Sequence, residues 1–191
     1  AFESQHDPDR HCLSLGLRPH PEGGRSCPGR GGPGARARAA LLEVNQIDDA
    51  GWNLLAAADA VVFGAPTYMG GASAPFKVFA DASAKAWFSQ LWKDKLAGGF
   101  TCSLNMSGDK FSTLMYFVTF AMQHGMIWVG TGTQGAATPG DPQSVNRLGG
   151  FLGVMAQADN VPPEQSPPAG DIESARGYGR RIAEKARALR R

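Results

Sequence analysis

Three short strand-like runs, spaced about a helix apart, constrain this chain more than any other feature. They are Ala60–Gly64 (AVVFG), Gly98–Leu104 (GGFTCSL) and Met126–Gly130 (MIWVG). The first is uninterrupted and apolar, which suits a strand covered on both faces of a parallel sheet. Between the runs lie two helical patterns. One begins at Ser73 and extends to about Ser89, with Pro75 in its first turn and Phe76, Phe79, Ala80 and Ser83 at helical spacing. The other covers Lys110–Gln123 and is rich in Phe, Met and Tyr. Strands alternating with helices predict an α/β chain with a doubly wound parallel sheet. Ala40–Val44 (ALLEV) adds a short strand, and Asp48 or Asp49 caps a helical turn through Leu55. Beyond the third run come a Gly/Pro-rich loop, Thr131–Gly150, and a strand segment around Phe151–Gln157. A proline-rich connection, Val161–Gly170, leads to a final helix, Asp171–Arg191. That helix carries Asp171 and Glu173 early and its arginines late, as the helix dipole favours.

The chain divides at about residue 40. Residues 1–39 hold five of the 13 prolines, seven of the 25 glycines, three of the four histidines and two of the three cysteines. They show no helix or strand period and read as an irregular leader. The formal charge of +2 resides there, since residues 40–191 carry equal numbers of acids and bases. A nearly neutral body argues against nucleic acid or an anionic membrane as partner. Three cysteines close no disulfide framework, which favours a reducing, cytoplasmic setting. Four readings of the leader compete. His6, His11, Cys12, His20 and Cys27 lack the pair spacing of a metal finger. A nucleic-acid arm would want aromatic residues and lysine among its arginines. A flexible linker or transit-like leader is the plainest alternative. The fourth is a shifted reading frame. Codons compatible with His6–Pro28, read one base later, can spell MTRIAIVYHSGYGHTRKVAEAV: a β-branched strand, a Gly-containing turn and an amphipathic helix. That order is a phosphate-binding strand–loop–helix.

In an open parallel sheet, ligands bind beyond the carboxyl ends of the strands. Beyond Ala60–Gly64 stands Pro66-Thr67-Tyr68-Met69-Gly70, where proline stiffens the strand exit, Tyr68 offers an aromatic face and backbone amides can meet a ring carbonyl. Beyond the next strand stands Cys102-Ser103-Leu104-Asn105-Met106-Ser107-Gly108, concentrated in small polar residues ahead of a helix. Gln123-His124-Gly125-Met126 closes that helix; a histidine so placed is ordinarily a structural contact.

Taken together, GAPTYMGGASAPFKVFADAS, AWFSQLWKDKLAGGF and QHGMIWVG resemble the flavodoxin-like NAD(P)H-dependent oxidoreductases. The likeness is to the tryptophan-repressor-binding-protein type of NAD(P)H:quinone oxidoreductase and its NADPH-dependent FMN reductase relatives. It extends from about Leu41 to the C-terminus. The resemblance implies a five-stranded flavodoxin fold with non-covalent FMN, held by Pro66, Thr67, Tyr68, Met69 and Gly70 and by Cys102 through Gly108. Leu104, Asn105 and Met106 replace the family's glycine-rich pattern there. The family's flavin-contacting histidine falls on Gln123, with His124 beside it, and Trp87 matches an aromatic lining the substrate side. The implied activity is electron transfer from NAD(P)H to a quinone or similar acceptor, with no acid–base residue required and a homodimer or homotetramer as assembly. Two alternatives are a flavodoxin-type electron carrier and a non-functional product lacking the phosphate loop. The family's first strand and phosphate loop should precede Leu41; the literal chain has neither, and the shifted string supplies both.

Overall fold

The computed structural model describes residues 13–19, 37–159, 161 and 165–189. Its strands are β1 (Leu13–Pro19), β2 (Ala37–Glu43), β3 (Ala60–Tyr68), β4 (Gly71–Ala72), β5 (Leu96–Ser103), β6 (Ile127–Trp128) and β7 (Val154–Gln157). Its helices are α1 (Asp49–Ala57), α2 (Ala74–Ala82), α3 (Ala84–Phe88), α4 (Lys110–Gln123) and α5 (Ala169–Leu189). The sheet runs β2-β1-β3-β5-β6, with β4 paired to β3 and β7 paired to β5. β3, β5, β6 and β7 are mutually parallel, as the three apolar runs predict.

Alternation along β3 shows why both faces of the sheet are buried. Val61, Phe63 and Ala65 enter one core with Leu55, Phe76, Phe79, Trp92, Leu114, Phe117 and Phe120. Ala60 and Val62 enter the other, against Tyr178, Ile182 and Ala186 of α5. Two adjacent glycines in β5 let the helices on both sides come close. A Cβ on Gly98 would stand 2.5 Å from Tyr178 Oη, and one on Gly99 would stand 2.9 Å from the Phe117 ring. Among the described residues, α1 to α4 pack on one face and α5 alone on the other.

The edge beside β5 is shared between two strands. β6 pairs with its first residues, Leu96 and Ala97, and β7 with Phe100–Ser103. The expected run Met126–Gly130 therefore yields two strand residues, because β7 takes the rest of the edge. Between them the chain makes an excursion over residues 129–153. Arg147 fastens it: its guanidinium is buried and donates from Nε (2.8 Å) and Nη2 (3.1 Å) to the Asp171 carboxylate at the start of α5. Nη2 also donates to Gln157 Oε1, and Asp171 accepts the Gln157 amide.

Two expectations change. The helix predicted from Ser73 to about Ser89 is broken at Ser83 into α2 and α3; the Ser83 hydroxyl donates to the Ala80 carbonyl and faces His124. The irregular leader contains a strand, β1, antiparallel to both β2 and β3. Leu13, Leu15 and Leu17 alternate with Ser14, Gly16 and Arg18, the period-two pattern of a strand. β2 begins at Ala37, so the division expected at residue 40 falls inside a strand. The remaining leader residues, including His6, His11, Cys12, His20 and Cys27, lie outside the described residues. No described helix is long and apolar enough to cross a membrane.

Candidate functional site

The carboxyl end of β3 folds back on itself. Tyr68 pairs with Gly71 and Thr67 with Ala72, so Met69 and Gly70 form a two-residue hairpin turn. Both have positive φ, 47° and 79°, the combination that lets a hairpin follow the twist of its strands. Gly70 accepts this freely, whereas Met69 holds a conformation rare for a side-chain-bearing residue. The turn projects Tyr68, about half exposed, and Met69, fully exposed, beyond the sheet.

Beside it, in register with Pro66 through the Pro66–Cys102 pair, β5 ends in the segment 103–109. Leu104 and Met106 are exposed on it. Gly108 and Asp109 both have positive φ, 49° and 52°, and turn the chain into α4. A Cβ on Gly108 would lie 2.1 Å from Ser103 Oγ, so this bend requires glycine. The two loops are tied together underneath. The buried Thr67 hydroxyl makes 2.8 Å bonds to both Thr101 Oγ1 and Thr113 Oγ1, joining β3, β5 and α4. That hydroxyl is thus committed within the protein, leaving backbone and Tyr68 to face a ligand. Cys102 is half-buried, and burial pushes its thiol pKa up despite the nearby Lys110.

Pro66–Gly70 and Cys102–Gly108 therefore lie side by side, at the carboxyl ends of β3 and β5 where the crevice of an open parallel sheet is expected. Their exposed side chains are aromatic or apolar (Tyr68, Met69, Leu104, Met106) beside polar loop backbone, a chemistry that fits a flat heteroaromatic ring with polar edges. Side chains of this kind would suit the flat ring of FMN. The strand–loop–helix expected to grip its phosphate is not among the described residues: β1 reaches this edge of the sheet with its first residue, Leu13, paired to Gly64. A cavity of about 570 Å³ is lined by Met106, Lys110, Phe111, Gly140, Arg147 and Met155.

Trp87, Gln123 and His124 are not brought to this crevice within one chain. The 14 residues of α4 span about 21 Å at 1.5 Å per residue, and Gln123 and His124 lie at the end remote from the loops. Ser83 joins that end through its 2.9 Å bond to His124 Nε2, and the Trp87 amide donates to the Ser83 carbonyl. Trp87 and Gln123 are exposed there. His124 is buried against the Trp92 indole, 4.2 Å between ring centroids, and against Phe120. Its Nδ1 has no partner, and burial pulls its pKa down to about 4. Sequence reasoning passed over Lys110, fully buried beneath the 103–109 segment; a lysine opening a helix ordinarily reads as a solvated residue. It also passed over the Met69–Gly70 turn and the Thr67–Thr101–Thr113 cluster, because the hydroxyls meet only through sheet register.

Comparisons with known proteins follow the same outline. Residues 51–138 match the family model for NADPH-dependent FMN reductase. A Pseudomonas aeruginosa protein named flavodoxin FldP is 41% identical over 151 residues, covering 77% of this chain and 82% of that one. An NAD(P)H dehydrogenase (quinone) of Syntrophobacter fumaroxidans is 30% identical over 164 residues, covering 82% and 73%. The crystal structure of a WrbA-like flavodoxin from Agrobacterium tumefaciens is 44% identical, with a TM-score of 0.59 over 75% of this chain and 76% of that one.

Proposed function

This chain belongs to the flavodoxin-like NAD(P)H-dependent oxidoreductases, and we propose that it is an FMN-dependent enzyme passing electrons from NAD(P)H to a quinone-like acceptor. The observation that supports the reading is the juxtaposition of the Met69–Gly70 turn and the 103–109 segment at the carboxyl ends of adjacent parallel strands. FMN, when bound, would supply the two-electron redox chemistry between NAD(P)H and the acceptor. The chain's own residues bind and orient. Tyr68 and Met69 would cover one side of the ring and backbone amides of both loops would meet its polar edge, while the threonine cluster ties β3, β5 and α4 together beneath the loops. Steady-state NADPH oxidation with and without a benzoquinone is the test. Flavin-loaded protein that oxidises no NAD(P)H directly would instead favour the electron-carrier reading, for which the relative named a flavodoxin speaks.

An assembly of copies belongs to the same proposal. The resemblance implicates Trp87 and Gln123 at the flavin, yet they sit at the far end of α4 from their own loops. A second chain could bring its Trp87 and Gln123 to the first chain's crevice. Exposed apolar side chains are available for burial: Phe111, Met115 and Met122 form a stripe along α4, and Trp87, Phe88 and Leu91 are exposed as well. A homodimer or homotetramer in a reducing, cytoplasmic setting fits these features, and sedimentation measures its size.

The shifted-frame reading of the leader supplies the phosphate grip. Its helix would also join α5 on the face where α5 stands alone among the described residues. The literal chain is then expected to bind FMN little better than riboflavin, and the shifted-frame start to restore a preference for the phosphate. The nucleotide sequence of the first 120 bases tests this directly.

A further inference from the structure

Lys110 is a buried cation that no ion pair explains. It opens α4, is fully buried, and among the described residues has no carboxylate at ion-pair distance. Its Nζ donates instead to Ser103 Oγ at 2.7 Å, to the Asn105 carbonyl, and to the Met106 carbonyl at 3.2 Å. The Ser103 hydroxyl directs its own hydrogen to the carbonyls of Asn105 or Gly108, so it accepts from the lysine. Three acceptors and no donor fit an ammonium, although burial draws the lysine pKa down.

The consequence lies in the geometry of the peptide. In a trans peptide the N–H points opposite to the C=O. Drawing the Asn105 carbonyl inward turns the Met106 N–H outward, and drawing in the Met106 carbonyl does the same for the Ser107 N–H. Neither amide donates to a partner among the described residues, and both residues are exposed. Carbonyls thus face in and amides face out, with a positive charge directly beneath. Such an arrangement favours an anion at the outer surface. The glycine-rich loop of the family has been exchanged here for Leu104, Asn105 and Met106, and the lysine holds the replacement in shape.

Resting on the flavin reading above, we propose that Lys110 makes the 103–109 segment selective for reduced over oxidised flavin, acting as a positioning and electrostatic residue that does not itself touch the ring. A flavin that takes up two electrons and one proton carries one more negative charge than the oxidised ring. Donors oriented in advance toward that charge stabilise the reduced form without rearrangement.

The test compares the full chain with Lys110→Met, Lys110→Gln and Lys110→Arg. Each is titrated with oxidised FMN and, anaerobically, with chemically reduced FMN, and its flavin midpoint potential is measured. Glutamine keeps a donor for the two carbonyls without the charge, and circular dichroism verifies that each variant folds. Lys110→Gln and Lys110→Met should bind reduced FMN at least tenfold more weakly relative to oxidised FMN than wild type. Each factor of ten lowers the two-electron potential by about 30 mV. Lys110→Arg should keep most of the wild-type ratio. Equal ratios in wild type and Lys110→Gln overturn the proposal, as does a uniform loss of both redox forms in Lys110→Gln, which would mean a loop clamp without electrostatic effect. Wild-type protein that binds neither form overturns the flavin reading, and this proposal with it.

Discussion

Acidifying the protein from pH 7.5 to 5 should remove about 2 kcal/mol of stability through His124 alone. The ring donates from Nε2 to Ser83 Oγ, because the Ser83 hydroxyl already gives its hydrogen to the Ala80 carbonyl. Nδ1 is then the bare acceptor, buried with no partner. A proton added there has no acceptor and lies beside the Trp92 and Phe120 rings. Burial alone therefore draws the pKa from 6.5 to about 4. The unfolded chain takes up this proton below about pH 6.5, whereas the native chain refuses it until about pH 4. Stability accordingly rises with pH across that window and falls on acidification. The full shift corresponds to about 3.4 kcal/mol at 1.36 kcal/mol per unit, of which about 2 kcal/mol is lost by pH 5. That is a large part of a domain's usual margin of about 5–15 kcal/mol. Urea unfolding followed by far-ultraviolet circular dichroism between pH 7.5 and 5, on wild type and His124→Phe, isolates the effect as a difference of slopes. Parallel pH dependences in the two proteins would refute the reasoning.

Other expectations are read from buried polar groups. Asp171→Asn should destabilise by about 3–5 kcal/mol, because Arg147 is left as an uncompensated buried charge; the double variant Arg147→Met/Asp171→Leu should recover much of it in the same urea titration. Tyr178→Phe removes a hydroxyl that accepts from the Gly99 amide and donates to the Val129 carbonyl, costing about 1–3 kcal/mol by thermal unfolding. Thr113→Val should loosen the two loops, weakening FMN binding severalfold by fluorescence titration while leaving far-ultraviolet circular dichroism unchanged. Met122→Glu places a charge in the apolar stripe of α4 and should shift sedimentation toward monomer.

The local signals that the sequence carries best are those with unbroken periodicity. The helix expected at Lys110–Gln123 is α4 to the residue, and Ala60–Gly64 is the core of β3. Boundaries set by tertiary competition were not legible. β6 is cut to Ile127–Trp128 because a segment about 25 residues later occupies the same edge. Leu13–Pro19 was hidden by its surroundings of proline and glycine, although its alternation was present. At the site, sheet register sets Pro66 beside Cys102, which makes the Pro66–Gly70 and Cys102–Gly108 loops neighbours. Lys110 could not have been found that way, since its burial depends on a loop folding over it. The separation of Trp87 and Gln123 from the loops was likewise invisible, because helix length matters only once the helix direction is known.

The 129–153 excursion leaves and rejoins the sheet along one strand, β5, a few residues apart. Its end-to-end gap is therefore fixed by β5 and not by its own length. Closure entropy grows only slowly as a loop lengthens, so insertions here carry little thermodynamic penalty while the Arg147–Asp171 latch stays intact. Length changes in the excursion can thus be absorbed without renegotiating the register of any strand.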